Sequence, residues 1–169
     1  MLTDNKDELF PLVDEQGNIT GAVTRGEVHD GSKKLHPVVH LHVFNSQGEL
    51  YRQKRPEWKD IQPGKWDTAV GGHVDLGESI EIALKREASE ELNITDFIPQ
   101  FINSYVFESN IEKELVFIYK TIYDGPIITS QELDGGKFWN INDIKTNLNK
   151  GIFTPNFEGE IMSVIKNND

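Results

Sequence analysis

The 169-residue chain contains no cysteine. This absence excludes disulfide bonds, metal sites built from thiolates and nucleophilic catalysis by a thiol. The chain also lacks any apolar run of membrane-spanning length, and its first residues, MLTDNKDELF, lack the basic and then apolar character of a secretion signal. We therefore expect a cytoplasmic protein that has no membrane partner.

Basic residues are scarce in this chain. It has 17 lysines and arginines against 28 aspartates and glutamates, and its formal net charge is −11. Binding to a nucleic-acid duplex or to an anionic membrane relies on basic side chains that neutralise phosphate, so neither is the expected partner. A small molecule that carries phosphate is compatible with this charge if a metal ion and a few local cations offset the field.

The chain length and the order of the predicted elements indicate one α/β domain over residues 1–169. A short apolar segment at residues 9–14 comes first, and residues 55–64 indicate a loop. The predicted strands are residues 66–70, 100–108, 114–123 and 136–141, together with a β-hairpin of residues 38–44 and 49–55. The predicted helices are residues 79–92, 142–150 and 155–166. This order predicts a mixed sheet sandwiched between helices, an α/β/α arrangement.

Carboxylates fall on the side of one predicted helix that should be apolar. If residues 79–92 form a helix with Ser79 as its N-cap, each residue advances about 100° around the axis. The residues that then share one arc are Ile80, Ala83, Leu84, Ala88, Glu87, Glu90 and Glu91. Burying ionised carboxylates without partners is costly, and Arg86 can answer only one of the three. A divalent cation would offset their charge, whereas the alternative is an acidic helix solvated at the surface.

The residues around this helix resemble the Nudix box. The box pattern is a glycine, five residues, a glutamate, seven residues, and then Arg-Glu-apolar-any-Glu-Glu-any-Gly-apolar. The matching residues are Gly72, Glu78, Arg86, Glu87, Ala88, Glu90, Glu91 and Ile94. The departure is Asn93, which stands where the family has glycine, and asparagine tolerates the left-handed backbone that this position needs. We expect Glu78 and Arg86 to brace the loop and the helix.

This resemblance implies the Nudix fold and a hydrolase in which water attacks phosphorus in a diphosphate linkage. The ligands that it implies for Mg²⁺ or Mn²⁺ are Glu87, Glu90, Glu91 and the carbonyl of Gly72. Gly71 and Gly72 would keep the backbone close to the phosphates. Either Glu91 or Glu114 would accept the proton of the attacking water.

Two histidines lie close together in a predicted strand. His40 and His42 are two residues apart, so on a strand they share one face. They could line the floor of a pocket beneath the predicted helix of residues 79–92. The alternative is a pair of hydrogen-bonded core histidines.

A longer region, from about residue 12 to residue 119, resembles type I isopentenyl diphosphate isomerase and its hydrolase-like relatives. In those isomerases, one divalent metal is bound by a set whose matching residues are His29, His36, His73, Glu112 and Glu114. The basic residues that match the diphosphate-binding positions are Arg25, Arg55 and Lys59. Without the resemblance, scattered histidines and charged residues are more often structural or solvated.

Two departures favour a hydrolase over an isomerase. The isomerase uses a cysteine as an acid, and Gly71 occupies that position here, where glycine cannot transfer a proton. The isomerase also lacks the full run of box carboxylates, whereas Glu87, Glu90 and Glu91 are all present. The alternatives are isomerase activity and a non-catalytic module that binds a phosphorylated metabolite. A homodimer is common in the family, and the sequence leaves the oligomeric state open.

Overall fold

A mixed sheet of seven strands forms the centre of the structure, a computed structural model that describes residues 5–59 and 62–166. The strands are β1 (Leu9–Val13), β2 (Ile19–Thr24), β3 (Leu35–Phe44), β4 (Leu50–Lys54), β5 (Trp66–Thr68), β6 (Val70–His73), β7 (Gln100–Glu108), β8 (Lys113–Ile122) and β9 (Gly136–Trp139). The helices are α1 (Arg25–Val28), α2 (Ile80–Leu92), α3 (Ile141–Thr146) and α4 (Pro155–Lys166). None of the helices within the described residues is long and apolar enough to cross a membrane.

The pairing of the strands confirms the predicted mixed sheet. The strand order is β5-β4-β3-β8-β7, with β6 also paired to β3 and β9 to β4, and β1 and β2 form a separate hairpin. β3 and β8 run parallel, whereas the other pairs are antiparallel. The predicted hairpin of β3 and β4 is present, with Phe44 opposite Leu50.

Successive side chains of β3 point to opposite faces of the sheet, so the core has two layers. Val39, Leu41 and Val43 pack with the apolar stripe of α2 on one face of the sheet. Val38 and Phe44 point to the other face, where they pack with α4. The sheet therefore carries helices on both faces, as the sequence predicts.

The predicted helix of residues 79–92 is α2, and its ends have the expected caps. The side chain of Ser79 accepts a hydrogen bond from the backbone N–H of Ile82. Asn93 follows the helix with φ 56° and ψ 36°, a left-handed conformation. Its side-chain amide donates to the carbonyl of Ile128 at 2.6 Å. Asn93 thus takes the left-handed conformation that the sequence predicts for this position, and it adds a contact with the segment after β8.

Several element boundaries differ from the prediction. The sequence does not predict β2 or α1, because Gly21 and polar residues interrupt the apolar alternation and α1 is a single turn. The predicted strand at residues 66–70 is two strands, since β6 continues through both glycines to His73. The predicted helix at residues 142–150 ends at Thr146.

The prediction that His40 and His42 could line the floor of a pocket beneath the helix of residues 79–92 is correct for His40 and wrong for His42. Both histidines lie on the opposite face of β3 and hydrogen-bond to Glu160 of α4. The ring of His42 also lies 6.2 Å from that of Phe157. The contacts agree with the alternative reading of hydrogen-bonded histidines, although His40 also reaches the cavity described below.

Replacing Asn93 with alanine is expected to lower the free energy of unfolding by roughly 1–2 kcal/mol. A left-handed alanine is strained, and the hydrogen bond to Ile128 is lost. Asn93→Gly is the matched control, because glycine adopts positive φ without that strain and loses only the hydrogen bond. Urea denaturation followed by circular dichroism measures both variants. Equal stability of the alanine and glycine variants would contradict the left-handed cap.

Candidate active site

A cavity of about 520 Å³ opens beside β6 and the C-terminal half of α2. Its wall contains the five residues predicted to bind substrate: Arg25, Arg55, Lys59, Gly71 and Gly72. It also contains further predicted catalytic and metal-binding residues: His73, Glu87, Glu90, Glu91 and Glu114. The other predicted ligands, His29, His36 and Glu112, lie outside this wall. The fold therefore brings most of the predicted site residues to one place.

Carboxylates outnumber basic side chains on the wall of this cavity. Among the residues that the structure describes, the wall holds eight aspartates and glutamates but four arginines and lysines. Like charges in a poorly solvated cleft repel one another and also repel an anionic ligand. A phosphate-bearing ligand therefore needs added positive charge next to these carboxylates.

Arg86 connects the acidic end of α2 to the loop before it. Its guanidinium donates to both carboxylate oxygens of Glu78, at 2.8 and 2.9 Å, and to the carbonyl of His73 at 3.0 Å. The same group donates to Glu87 at 2.8 Å and to Glu90 at 3.3 Å. The expected bracing by Glu78 and Arg86 is present. The expectation that Arg86 answers only one carboxylate of the helix is wrong.

The three helix carboxylates differ in burial. The side chain of Glu87 is 14% exposed and that of Glu90 is 59% exposed, so the prediction that all three lie on the packed face is wrong for Glu90. Burial raises the pKa of Glu87 to about 7, although Arg86 acts in the opposite direction. Burial and the charge of Glu87 raise the pKa of Glu91, whose carboxylate accepts a hydrogen bond from the N–H of Gly71 at 3.0 Å. A nearby cation would stabilise the ionised forms of both groups.

The backbone of Gly72 lies directly against the carboxyl group of Glu87. A β-carbon at residue 72 would lie 2.1 Å from Cδ of Glu87, so any side chain there would displace the carboxyl group. At Gly71 the nearest atom to such a β-carbon is Cδ2 of His40, at 3.4 Å, a tight contact that a small shift relieves. Gly72 and Glu87 are therefore placed side by side, as two ligands of one cation would be.

The register of three strands brings a second group of predicted ligands together. His36 of β3 lies opposite Glu114 of β8, and His73 of β6 lies opposite Val38, two residues along β3 from His36. One ligand atom from each of His36, His73 and Glu114 lies within 4.8 Å of the other two. The Nε2 atoms of both histidines are buried and have no hydrogen-bond partner among the residues that the structure describes.

The tautomer of His36 suits a metal ligand. Its Nδ1 lies 3.0 Å from the carbonyl of Lys34, so Nδ1 carries the proton and Nε2 presents a lone pair. Burial lowers the pKa of His36 and lowers that of His73 further, which favours neutral rings. His29 and Glu112 form a separate pair, 3.2 Å apart, and the His29 ring lies 5.9 Å from that of His73. This donor set fits a divalent cation, with His29 and Glu112 at its edge.

Two of the predicted phosphate-binding cations already hold carboxylate partners. Arg25 donates to Glu8 at 3.0 and 2.8 Å. A guanidinium nitrogen of Arg55 lies 3.6 Å from a carboxylate oxygen of Asp67. These partners reduce the positive charge that the two arginines present to the cavity.

His40 and Glu160 also belong to this region. The sequence offers His40 as a possible pocket residue without a binding role, and it does not predict Glu160. His40 lines the cavity, and Glu160 lies behind it with its side chain 2% exposed. The buried apolar neighbours of Glu160 on α4 are Phe157, Ile161 and Val164. A carboxylate on the apolar stripe of a helix is the signal that identifies Glu87 and Glu91, so the same test applied to α4 could have found Glu160.

Comparisons with known proteins show that the chain belongs to the NUDIX family. The model of the NUDIX domain matches residues 34–157. The chain is 29% identical over 165 residues to isopentenyl-diphosphate Delta-isomerase 1 of Photorhabdus laumondii, with 92% of this chain and 94% of that protein covered. It is 30% identical over 132 residues to an uncharacterized Nudix hydrolase of Pseudomonas aeruginosa, with 78% of each covered.

A solved structure confirms the fold. The crystal structure of DR0079 from Deinococcus radiodurans matches with a TM-score of 0.76 and 24% sequence identity, and the match covers 95% of this chain and 98% of that chain. The predicted Nudix fold and the predicted isomerase-like branch of the family are thus both confirmed.

Gly72→Ala is expected to displace Glu87, because the added methyl group would overlap its carboxyl group. We expect the free energy of unfolding to fall by roughly 1–3 kcal/mol and the affinity for Mn²⁺ to fall with it. Gly71→Ala is the control, since its methyl group needs only a small shift and should cost under about 1 kcal/mol. Urea denaturation and isothermal titration calorimetry with Mn²⁺ measure the two effects. Mn²⁺ binding that is equally tight in both variants would argue against Glu87 as a ligand.

Proposed function

We propose that this protein is a divalent-metal-dependent hydrolase that cleaves a diphosphate linkage in a small molecule. The substrate class is a nucleoside diphosphate derivative or a related organic pyrophosphate. The observation that carries this proposal is the cavity itself, whose wall collects the box carboxylates, two bare glycine backbones and basic side chains. Membership in the NUDIX family supports hydrolysis in general.

The first metal site would be built on the end of α2. The proposed ligands of Mg²⁺ or Mn²⁺ are Glu87, Glu90, Glu91 and the carbonyl of Gly72. Carboxylate and carbonyl oxygens are the ligands that these hard cations prefer. A cation held there would offset the charge that develops on the phosphate oxygens and the leaving group. The burial of Glu87 supports this placement, because Arg86 also serves Glu78 and cannot neutralise every carboxylate beside it.

The basic residues of the wall would hold the diphosphate. Arg25 and Arg55 suit bidentate contact with phosphate, and Lys59 suits a point contact. The carboxylate oxygens of Glu8 and Asp67 occupy positions near the arginines that phosphate oxygens can take over. This exchange would leave the carboxylates of Glu8 and Asp67 without their arginine partners, so the added negative charge would have to be offset by bound metal ions.

The attacking water would lose its proton to a carboxylate of the wall. Glu91 approaches the cavity from α2 and Glu114 approaches it from β8. Either group is a suitable general base if it lies within hydrogen-bond reach of that water.

A second cation is proposed at His36, His73 and Glu114, with His29 and Glu112 beside it. The support is the convergence of two bare, buried Nε2 atoms with a carboxylate. A set of nitrogen and oxygen ligands suits Mn²⁺ or another transition-metal ion better than it suits Mg²⁺. This site and the α2 site are compatible with each other, since they use different residues.

The alternative activity is isomerisation of isopentenyl diphosphate, which the name of the Photorhabdus relative favours. Gly71 argues against it, because this position lacks a side chain that could transfer a proton. A non-catalytic binding module is also disfavoured, since the box carboxylates are complete.

Incubating the protein with isopentenyl diphosphate and Mn²⁺ in deuterium oxide distinguishes the two activities. We expect no deuterium in the recovered substrate and no isomer, as measured by proton NMR and mass spectrometry. Deuterium incorporation above a protein-free control would replace the hydrolase proposal with the isomerase alternative.

A screen of nucleotide and isoprenoid diphosphates with Mg²⁺ or Mn²⁺ tests the hydrolase proposal. We expect release of phosphate or of a nucleoside monophosphate, and Glu90→Gln should lower this rate by about 100-fold or more, since the metal contribution is worth several kcal/mol. Glu81→Gln is the matched control, because Glu81 is an exposed glutamate of the same helix outside the cavity wall. Its rate should stay within about twofold of the native rate.

Equal product release from the native protein and Glu90→Gln would contradict the role of Glu90. A loss of activity in both glutamine variants would point to damage to α2 rather than to a lost ligand.

A further inference from the structure

Glu160 is a buried carboxylate that accepts hydrogen bonds from three side chains. It accepts hydrogen bonds from Nδ1 of His40 at 2.7 Å, from Nε2 of His42 at 3.0 Å and from the hydroxyl of Tyr105 at 2.6 Å. An ionised carboxylate is acceptor-only, so this arrangement places a proton on each of those three donor atoms. Burial raises the pKa of Glu160, but the charge and hydrogen bond of His40 outweigh burial and leave it below its usual range.

The two histidines that share Glu160 differ in what their other nitrogens face. Nδ1 of His42 is buried and has no hydrogen-bond partner among the described residues, and the His42 ring packs near Phe157. His40 instead lines the cavity. Its Cδ2 and Nε2 atoms lie 3.4 and 3.7 Å from the position of a β-carbon on Gly71. Because Gly71 has no side chain, this edge of the ring is left next to the cavity.

The surroundings of His40 favour a charged ring. Burial lowers the pKa of His40, but the charge and hydrogen bond of Glu160 on α4 outweigh burial, and Asp67 on β5 and Glu114 on β8 add to the effect, so that the pKa reaches about 9. With Nδ1 bonded to Glu160, such a ring presents its Nε2–H as a donor. Arg25, another cation of the wall, already donates to Glu8.

We propose that His40 is a substrate-binding residue that donates from Nε2–H to a phosphate oxygen held beside Gly71 and Gly72, and that Glu160 positions it from α4. This inference rests on the proposed function, because it requires a diphosphate in the cavity. A buried ion pair contributes little to stability compared with apolar packing. The hydrogen bonds of Glu160 are therefore better explained by their effect on His40, whose Nε2–H they direct toward the ligand.

Binding of methylenediphosphonate, a diphosphate analogue that cannot be hydrolysed, tests this assignment by isothermal titration calorimetry with Mg²⁺ present. We expect His40→Gln to weaken binding by roughly 10- to 100-fold, the effect of losing a charge-assisted hydrogen bond. His42→Gln is the matched control, because His42 shares the strand, the face and Glu160 but does not line the cavity. It should bind within about threefold of the native protein, and His40→Gln should keep the native affinity for Mn²⁺.

A second measurement begins with the native protein, so its first result does not depend on a folded variant. In protein labelled with ¹⁵N in its histidine rings, the His40 signals should show both nitrogens protonated at neutral pH and should shift when methylenediphosphonate is added. In Glu160→Gln, checked for folding by circular dichroism, one ring nitrogen of His40 should lose its proton and the analogue should bind more weakly. A purely structural role for Glu160 would leave the protonation of the His40 ring unchanged.

The proposal is overturned if the native protein does not bind the analogue, if the His40 signals stay fixed while the analogue binds, or if His42→Gln weakens binding as much as His40→Gln. It is likewise overturned if His40 keeps both protons in Glu160→Gln. Failure of the hydrolase proposal has a different signature, because the analogue would still bind through His40 while no diphosphate in the screen is cleaved.

Discussion

Buried negative charge at the end of α2 is the constraint on which the rest of the site depends. The side chain of Glu87 is 14% exposed, and burial raises the pKa of both Glu87 and Glu91. Arg86 relieves part of this charge, but it also bonds to Glu78 and to the carbonyl of His73. Because of the remaining negative charge, we expect the cavity to bind cations, and to bind phosphate only when cations are already bound.

The short strand β6 connects the parts of the site. The N–H of Gly71 bonds to Glu91 of α2, and Gly72 leaves room for the carboxyl group of Glu87. One residue further on, His73 points to the other face of the sheet and joins His36 in the second ligand group. Alternation along a strand thus places one proposed metal site on each side of β6, within a few residues of each other.

The sequence predicts those parts of the fold and of the site that depend on residues close together in the chain. Helix α2 is predicted by the N-cap at Ser79, by the helical period, and by Asn93, which can adopt the left-handed backbone after the helix. The spacing of the box predicts which carboxylates face the cavity. The partner of Glu160 could not be predicted in the same way, because His40 lies 120 residues away along the chain. The contacts of Arg86 with Glu78 and with the carbonyl of His73 also depend on the path of the chain before α2, which the helical period does not describe.

X-ray diffraction from crystals grown with Mn²⁺, recorded for anomalous scattering, would show whether a cation binds between Glu87 and Glu91. We expect an anomalous peak bounded by the carboxylates of Glu87 and Glu91 and the carbonyl of Gly72. Well-ordered density in which Glu87 bonds only to Arg86, Glu91 bonds only to the N–H of Gly71 and no peak lies between them would contradict it.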